Sequence, residues 1–582
     1  MNVGLLLRSL EHLRWEQLVY RPIRLLQSRL DRSVIASRWT TPKQLVRAPR
    51  DAALEAIAAV VKALPHLNPP LTQYESRLAD IGDNRFTFLN RPLTIHPIDW
   101  NHRYESHLWN YNLHYFAYSL WCAQSHAERG DGGALAENQR LISDWIATAR
   151  IGESDGWDAY PVSLRLVNWI YAYALTGKRT GEEEFHSLWS SSIYRQLDYL
   201  SRRVEYHLLA NHIIKNAKAL VVGGLFFGEA SWLETGRALM LREFDEQVLD
   251  DGGHFERAPM YHAQVLADFL EAFSLLRAFG EVDETVFGHA ATRLHKMGNF
   301  LAAMSNRDGS LALFNDSANT EECRPRPILE SVAHVSGNSV DNVWSFPETG
   351  YYLWESPDLS ERMVVDAGPP AAAYNTAHAH CDLLSYELWL HGHPFIIDPG
   401  VHGYEGDRFR EYARSTRAHN TVVIDGREQS EIWATFRMGA RATLVSAEST
   451  SADEVWRFRG AYRPYFDHRI MHERRIVRDA TGEWLISDKL EGAGAHALES
   501  FIHLHPGVRA RKDNSSILCE FAGCRVWIEP FGVTQFEIVS GVEEPMQGWY
   551  FRDFGIAEPS ATICMRVSAR QGEEFGYRIR QA

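Results

Sequence analysis

Residues 376–398 read TAHAHCDLLSYELWLHGHPFIID, and this stretch carries the pattern from which the second half of the chain is interpreted. Its apolar runs, 383–390 and 395–397, predict two strands joined through residues 391–394. Because side chains alternate along an extended segment, His378 and His380 would face one cavity. The second strand would carry Asp398 back towards the start of the first.

A third histidine, His419, follows in the sequence Arg417-Ala418-His419-Asn420. Two histidines with one aspartate are a ligand set that suits Zn²⁺ or a similar ion. One of His378, His380 and His419 would then not be a ligand. The alternative is that these residues are the ordinary polar ends of buried strands, since metal-ligand patterns become specific only with several members.

The composition is that of a globular protein with several domains. The 582 residues exceed what one core holds, and 45% hydrophobic with 23% charged residues is ordinary. No apolar run reaches the ~18 residues that a membrane span needs. The net charge of −15 argues against nucleic-acid binding, so positive charge for an anionic substrate must be local. Such a cluster occurs at Arg408, Arg410, Arg414 and Arg417, although a solvated loop explains it equally well.

The N-terminus lacks the features of a secretory signal, because its apolar patch is short and is interrupted by Arg8. We therefore expect a cytoplasmic location, with the periplasm as the alternative. Arginines among leucines over residues 1–35 fit either a helix on a membrane surface or a helix packed on its own protein. The six cysteines lack CxxC spacing and predict neither a disulfide framework nor a cysteine zinc site.

Helical periodicity runs to about residue 335, and alternating strand patterns follow it. We predict a helical segment over 1–95, a domain of helical hairpins around a cleft over 96–335, and a β domain over 340–582. A run of strands after a run of helices favours separate layers over a βαβ sheet. No glycine-rich phosphate loop stands between a strand and a helix, so nucleotide chemistry has no support.

Two places in the helical half combine polar groups with apolar surroundings. Asn211 and His212 are adjacent in an otherwise apolar helix, where an unpaired polar group costs about 1–3 kcal/mol and so needs a partner or a ligand. Tyr261 follows the glycine-rich turn 250–253 in the first turn of a helix. The helix dipole and Arg257 would ease its ionisation there. Internal hydrogen bonding and plain packing are the respective alternatives.

Residues 109–116 and 156–169 mix aromatic rings, amides and one arginine, which is typical of a carbohydrate subsite but also of aromatics that anchor loops. The candidate substrate contacts are Asn112, His114, Trp157, Tyr160, Arg165 and Asn168, with Arg257 and Arg417 as further cations.

Six stretches together resemble the heparinase II/III-like polysaccharide lyases. They are WNYNLHYF (109–116), GWDAYPVSLRLVNW (156–169), LLANHIIKNAKAL (208–220), DGGHFERAPMYH (251–262), TAHAHCDLLSYELWLHGHPFIIDPG (376–400) and RAHNTVVIDG (417–426). The resemblance implies an α+β multidomain protein in which an incomplete α/α toroid precedes an antiparallel β-sandwich. It also implies β-elimination on a uronic-acid polysaccharide or oligosaccharide.

The resemblance assigns roles to matching positions. It implies that Asn211 and His212 neutralise the uronate carboxylate and that Tyr261 and His378 act as acid and base. It further implies that His380, Asp398 and His419 hold a structural zinc or similar divalent ion, with no organic cofactor. Which of Tyr261 and His378 is the base stays open.

Two other functions remain possible from the sequence. A glycoside hydrolase on a similar toroid would need two carboxylates across the cleft, for which Asp158, Asp251 and Glu256 are candidates. A non-catalytic glycan-binding protein of capsule or O-antigen biosynthesis would suit the missing export signal. The polymer, endo or exo action and the oligomeric state stay open.

Overall fold

The computed structural model describes residues 3–31, 47–177, 180–492, 494–569 and 572–581. Apart from one short hairpin, its first part is helical as far as Ser336. The helices are α1 Val3–Leu10, α2 Trp15–Asp31, α3 Asp51–Ala63, α4 Glu75–Gly82, α5 His107–Tyr115, α6 Ala117–Arg129, α7 Gly132–Thr148, α8 Ala159–Thr176, α9 Glu183–Ser201, α10 Asn211–Phe227, α11 Ala230–Gln247, α12 Pro259–Ala278, α13 Glu284–Ala303, α14 Pro325–Ser336 and α15 Arg408–Arg414.

The helices from α6 to α14 alternate between two layers. The even-numbered helices α6, α8, α10, α12 and α14 each contact the next even-numbered one, and α7, α9, α11 and α13 pack on them as an outer layer. Two concentric layers of hairpins form the predicted α/α toroid.

Helix α10 lies deepest in the toroid, because every residue of it except His212 is buried. Glycines let its neighbour approach closely. A Cβ at Gly224 would stand 2.6 Å from the backbone nitrogen of Leu233, and one at Gly236 would stand 2.7 Å from that of Val221. This packing fixes the N-terminal end of α10 and the His212 side chain that projects from it.

The strands are β1 Arg85–Phe88, β2 Arg91–Thr94, β3 Ser345–Phe346, β4 Tyr351–Glu355, β5 Arg362–Asp366, β6 Tyr386–Leu390, β7 His393–Ile396, β8 Val422–Ile424, β9 Ile432–Trp433, β10 Arg437–Met438, β11 Thr443–Ala452, β12 Val455–Arg463, β13 Met471–Arg478, β14 Trp484–Glu491, β15 His496–His503, β16 Arg509–Asp513, β17 Ser516–Phe521, β18 Cys524–Phe531, β19 Gln535–Val539, β20 Val542–Glu543, β21 Met546–Gln547, β22 Trp549–Tyr550, β23 Glu558–Pro559, β24 Thr562–Ala569 and β25 Glu574–Gln581.

Three large antiparallel sheets build the second half of the chain. Their strand orders are β11-β12-β13-β14-β25-β18-β17-β16, β3-β4-β5-β6-β7 and β19-β24-β15-β8. One core contains Ile486 of the eight-stranded sheet, Leu388 of the five-stranded sheet and Ile563 of the four-stranded sheet. An antiparallel bridge between Ile396 and Leu504 joins the two smaller sheets. The result is a two-layer antiparallel sandwich, so the predicted fold is confirmed.

The segment predicted as helical over 1–95 contains helices α1 to α4 and also the hairpin β1–β2, which the prediction lacked. Its first two helices contact both halves of the molecule. The indole nitrogen of Trp433 in the sandwich donates to the Ser9 hydroxyl at 3.0 Å, and Gln17 donates to the carbonyls of Leu208 and Tyr374. Within the described ranges, no helix is long and apolar enough to span a membrane.

Candidate active site

A cavity of about 1020 Å³ lies where the toroid, the sandwich and the N-terminal helices meet. Helices α8, α10 and α12 line it from the toroid, and the loops around residues 376 and 404 line it from the sandwich. The four predicted catalytic residues all line this cavity, namely Asn211, His212, Tyr261 and His378. Positions more than 160 residues apart in the chain are thus brought to one cavity.

Asn211 and His212 stand at the start of α10 and not inside a longer helix as expected. Leu209 and Ala210, with φ of 64° and 54°, turn the chain sharply just before the helix begins. The Asn211 amide donates to both carboxylate oxygens of Glu256, at 3.1 and 3.2 Å. The amide is thereby held in one orientation at the cavity wall.

The carboxylate of Glu205 lies 3.3 Å from His212 Nδ1. Burial opposes protonation of the imidazole, but the Glu205 carboxylate outweighs it and raises the pKa of His212. The ring also packs on Tyr160, with centroids 4.6 Å apart. The side chain is 31% exposed and lines the cavity.

Tyr261 lies in the first turn of α12 and stacks on the His378 ring, with centroids 3.8 Å apart. Its hydroxyl is 2.8 Å from the Tyr404 hydroxyl. Burial, reinforced by Tyr404, raises the pKa of Tyr261 well above that of a free tyrosine. The expected help from Arg257 is absent, because that guanidinium donates to the Thr349 carbonyl at 2.9 Å instead. Tyr261 therefore keeps its proton.

One carboxylate, Asp316, links the two histidines of the H-x-H pair. Residues 376–385 are irregular and not the extended strand that was predicted. The rings nevertheless meet at one place, because His378 Nδ1 and His380 Nε2 each lie 2.8 Å from a different oxygen of Asp316. Arg410 pairs with the same carboxylate. Burial opposes the charge on Asp316, but Arg410 and the histidines hold its pKa well below the usual range.

The shared carboxylate sets both tautomers. His378 turns Nδ1 towards Asp316 and Nε2 to the other side of the ring, where Nε2 lies 4.0 Å from Glu256. With its Nε2 proton on Asp316, His380 leaves Nδ1 free on the opposite side. Burial lowers the pKa of His380 to about 3, so this ring is neutral near pH 7.

A candidate metal centre lies behind this pair. His380 Nδ1 and His419 Nε2 are buried without a hydrogen-bond partner among the described residues. His380, Asp382 and His419 each offer a ligand atom, and these atoms lie within 4.8 Å of one another. Asp398, the predicted ligand, instead accepts from His419 Nδ1 at 2.8 Å. The geometry thus favours Asp382 as the carboxylate ligand, with Asp398 orienting the His419 ring.

The electrostatics of this centre fit a cation. Burial and the neighbouring Asp398 carboxylate raise the pKa of Asp382 to about 6. Burial and Asp382 raise the pKa of Asp366 well above its ordinary value. Several carboxylates buried this close together repel one another, and a divalent ion with histidine and aspartate ligands would relieve that repulsion. The donor atoms present therefore fit Zn²⁺ or a similar ion.

The predicted substrate contacts divide into two groups. Asn112, Tyr160 and Asn168 line the cavity. The other five predicted contacts lie outside the cavity lining; they are His114, Trp157, Arg165, Arg257 and Arg417.

His114 and Arg165 belong to the interior of the toroid. His114 is fully buried and its Nδ1 accepts from the Trp145 indole at 3.2 Å. Arg165 is also fully buried and donates to the carbonyls of His114 and Gly156. Trp157 packs in the same region on Trp145, with ring centroids 5.4 Å apart. These positions hold loops together, so substrate contact is not proposed for them.

The predicted cationic cluster 408–417 is engaged elsewhere. Arg408 pairs with Glu543, Arg410 with Asp316, and Arg414 donates to backbone carbonyls of Ala434 and Thr435. Arg417 is 4.0 Å from Glu499 and lies outside the cavity lining.

The free positive charge of the cavity comes from three other arginines. They are Arg21 of α2, Arg437 of β10 and Arg441. None of them has an ion pair in the part of the chain that the structure describes, and Arg441 Nε is buried without a partner there. Burial and the nearby Arg437 charge lower the pKa of Arg21. Cations grouped without acidic partners make this part of the cavity suited to an anion.

Family models match nearly the whole chain. The model described as Heparinase II/III N-terminus matches residues 73–340, and the model described as Heparinase II/III-like, C-terminal, matches residues 339–578. The chain belongs to the heparinase II/III family. Residues 1–72, including α1 and α2, lie outside both matches.

Relatives of this heparinase II/III-like chain carry two kinds of name. The heparin-sulfate lyase of Pedobacter heparinus is 27% identical over 328 residues, which is 51% of this chain and 49% of that protein. The heparin-sulfate lyase of Bacteroides stercoris is 26% identical over 248 residues, 38% and 36% of the two chains. The FtsZ-localized protein C of Caulobacter vibrioides is 23% identical over 371 residues, 59% of each. The chain thus spans about half or less of the lyases that it matches.

Solved structures show the same fold. The crystal structure of heparinase III aligns with a TM-score of 0.71 and 16% identity, covering 88% of this chain and 84% of that one. The heparan sulfate lyase HepC from Pedobacter heparinus aligns at 0.59 with 19% identity and the same coverage. The toroid followed by a sandwich is therefore the architecture of the heparinase II/III-like chain.

Several residues that contact the candidate site of this heparinase II/III-like protein were not identified from the sequence. Glu205, Asp316, Asp382 and Tyr404 were not singled out, and Glu256 was considered only as a hydrolase carboxylate. The hydrolase candidates do not line the cavity. Asp158 accepts from Tyr111 and Asp251 from Thr349, while Glu256 holds Asn211. The run Asn315-Asp316-Ser317, in the connection between α13 and α14, was the polar signal available in the sequence.

Proposed function

We propose that this protein is a lyase that cleaves a uronic-acid polysaccharide or oligosaccharide by β-elimination. The observation that carries the proposal is the Tyr261–His378 ring pair, 3.8 Å apart, in the cavity that Asn211 and His212 also line. An acid, a base and two donors for a carboxylate are the groups that this reaction needs.

Asn211 and His212 are proposed to bind the uronate carboxylate. Removal of the proton at C5 leaves a dianion-like carboxyl group, which hydrogen-bond donors and positive charge stabilise. The Asn211 amide is held by Glu256, and the Glu205 carboxylate raises the pKa of His212. Both groups are therefore positioned before substrate arrives, and no reorganisation is needed at the transition state.

His378 is proposed to take the C5 proton on Nε2, and Tyr261 to act as the acid. The electron pair of the C5–H bond forms the C4–C5 double bond, the C4–O4 bond breaks, and O4 takes the Tyr261 proton. This assignment follows from the raised pKa of Tyr261, which keeps the hydroxyl protonated, and from the Asp316 bond to His378 Nδ1, which leaves Nε2 free. The proton on His378 then returns to Tyr261 through solvent or directly.

A divalent ion, when bound by His380, His419 and Asp382, would supply a structural cross-link and offset the buried carboxylates. His380 lies two residues from His378, and both bond Asp316. The protein's own contribution is therefore to hold the His378 ring in one place and one tautomer.

The substrate is proposed to be an anionic polymer of the glycosaminoglycan class. Three cavity arginines without ion pairs in the described chain, Arg21, Arg437 and Arg441, support a second anionic group on the sugar beside the uronate. The names of the heparin-sulfate lyase relatives make heparan-type polymers the first substrates to try.

The test is a panel of uronate polymers followed by the ultraviolet absorbance of the C4–C5 double bond in the product. On a cleaved substrate, Tyr261→Phe should lower kcat by about 10²- to 10⁴-fold, since it removes the acid but keeps the ring stack. Tyr194→Phe is the matched control, because its hydroxyl bonds Glu229 outside the cavity lining.

Full activity of Tyr261→Phe would contradict the assignment. Cleavage without a double bond would favour a hydrolase, and saturable binding without turnover on every polymer would favour a non-catalytic glycan-binding protein. One relative whose name is not that of a lyase gives that last outcome a specific basis.

A further inference from the structure

Helix α2, Trp15–Asp31, is oriented opposite to an ordinary amphipathic helix of a globular protein. Its outward residues are Trp15, Leu18, Val19, Pro22, Ile23, Leu25, Leu26, Arg29 and Leu30, of which only Arg29 is charged. Its other residues, which are buried or partly buried, are Glu16, Gln17, Tyr20, Arg21, Arg24, Gln27, Ser28 and Asp31. Surface helices normally turn their apolar stripe to the core.

The outward face is the main exposed apolar surface among the described residues. Trp15 and Leu25 are each 66% exposed, and Leu26 is 59% exposed. Thirteen large apolar residues are strongly exposed in the described chain, and seven of them lie in this one helix. Scattered apolar residues need no explanation, whereas a contiguous stripe of this kind marks an interaction surface.

The inward face fixes this orientation, so the helix cannot simply rotate to hide its apolar stripe. Asp31 accepts from the Tyr199 hydroxyl at 3.1 Å and pairs with Arg203. Gln27 donates to the Arg202 carbonyl at 3.0 Å. Gln17 is buried and donates to carbonyls of both halves of the molecule. Rotation would leave the buried Gln17 and Asp31 unpaired, at about 1–3 kcal/mol each.

We propose that the outward face of α2 docks on an anionic lipid surface and holds the protein there. The charge distribution favours a lipid surface over other partners. The first 50 residues hold 10 of the 60 Lys and Arg but only 3 of the 75 Asp and Glu, so this end is basic while the rest of the chain is strongly acidic. An apolar stripe inserts between acyl chains, and Arg29, the charged residue of the outward face, is attracted to anionic headgroups. Trp15 at one end of the stripe suits the headgroup level.

The same helix is a wall of the catalytic cavity. Gln17 and Arg21 line the cavity from the inward side, opposite the exposed leucines. A helix with its side chains is about 10 Å across, so a bilayer on the outward face lies one helix diameter from the cavity. The docked protein would therefore meet glycans held at a membrane surface.

Flotation of the full chain with phosphatidylcholine vesicles, with and without phosphatidylglycerol, tests the proposal. The wild-type chain should float with the phosphatidylglycerol vesicles, and added salt should weaken the binding. The triple variant Leu18→Gln, Leu25→Gln, Leu26→Gln should lower the partition coefficient by about a hundredfold or more, because three exposed leucines no longer enter the acyl region. Glutamine keeps a good helix propensity, so α2 itself is preserved.

The matched control is Val286→Gln, Trp344→Gln, Val445→Gln, which removes three exposed apolar residues outside α2. It should float like the wild type. Melting curves check folding, and the single variant Leu25→Gln replaces the triple variant if the latter melts early.

Three results would overturn the proposal. They are a wild-type chain that floats with neither vesicle, a triple variant that floats like the wild type, and a wild-type dimer in sedimentation that the triple variant converts to monomer. The last result would assign the face to a second copy of this chain. None of these measurements depends on lyase activity.

Discussion

Replacement of Asp316 by asparagine should separate the catalytic from the structural role of the H-x-H pair. The carboxylate is fully buried and accepts from His378 Nδ1 and His380 Nε2, each at 2.8 Å, while pairing with Arg410. Asparagine keeps the shape but offers one oxygen and one donor in place of two charged oxygens. At least one histidine then loses its acceptor, and Arg410 loses its counter-charge.

The magnitude follows from burial. Two unit charges about 4 Å apart interact by about 4 kcal/mol at an effective dielectric constant near 20, and breaking a buried pair by removing one partner typically costs about 3–5 kcal/mol. We expect a loss of that size in the free energy of unfolding. If the His378 tautomer is no longer held, kcat should fall on the order of 10³- to 10⁴-fold, as in other enzymes whose orienting carboxylate is neutralised.

Three readouts are needed on the same purified protein: kcat from the double-bond absorbance, metal per chain, and the midpoint of unfolding. Asp341→Asn is the matched control, because Asp341 also accepts from a histidine, His295, at 2.8 Å, but on the protein surface. It should leave kcat and metal content unchanged. An Asp316→Asn protein with kcat within a few-fold of the wild type would refute the role assigned to this carboxylate.

Three further perturbations follow from the site. Glu205 raises the pKa of His212, so the stabilisation that this pair gives to the folded protein is complete below the ordinary histidine pKa and is lost as pH rises through the higher folded value. Glu205→Gln should therefore move the alkaline limb of the kcat/KM profile to lower pH. An unmoved limb would count against a cationic His212. A chelator should lower the melting temperature of the wild type, and His419→Ala should have a low melting temperature both with and without chelator. The same wild-type melting temperature with and without chelator would argue against a structural ion. Arg437→Ala and Arg441→Ala should each raise KM for an anionic polymer by about tenfold or more with little change in kcat, measured at several salt concentrations, and an unchanged KM would remove the proposed second anion contact.

The fold could be predicted because its signals are local. The change from helical to alternating periodicity near residue 335 is visible in the chain, and the structure ends α14 at Ser336 and begins the sandwich sheets at Ser345. Strand limits were less accurate. The strand predicted over 383–390 begins only at Tyr386, because Leu384 has a φ of 65° and the Ser385 amide donates to the Asp382 carbonyl at 2.9 Å, which closes a turn.

The site could be predicted only in part because its decisive bonds are distant in sequence. Asp316 lies 62 residues from His378, and no periodicity links a carboxylate to a ring at that separation. The choice between Asp398 and Asp382 as a ligand depends on which oxygen faces the free nitrogens, which only the folded loop decides. His114 and Arg165 were predicted as sugar contacts because their stretches mix aromatic and polar residues. Buried polar networks use the same residue types, so the sequence does not distinguish the two.

The cavity is lined both by residues within the family matches and by residues that precede them. The residues proposed for the chemistry, from Asn211 to His378, lie within the two family matches over 73–340 and 339–578. Arg21 lies outside them, yet it lines the same cavity from α2. Because α2 also presents the exposed apolar stripe, one helix contributes both a cation to the substrate cavity and the surface proposed to meet lipid. The proposed chemistry of this chain thus rests on residues within the family matches, while one of the three proposed anion contacts and the proposed lipid-binding face belong to the helix that precedes them.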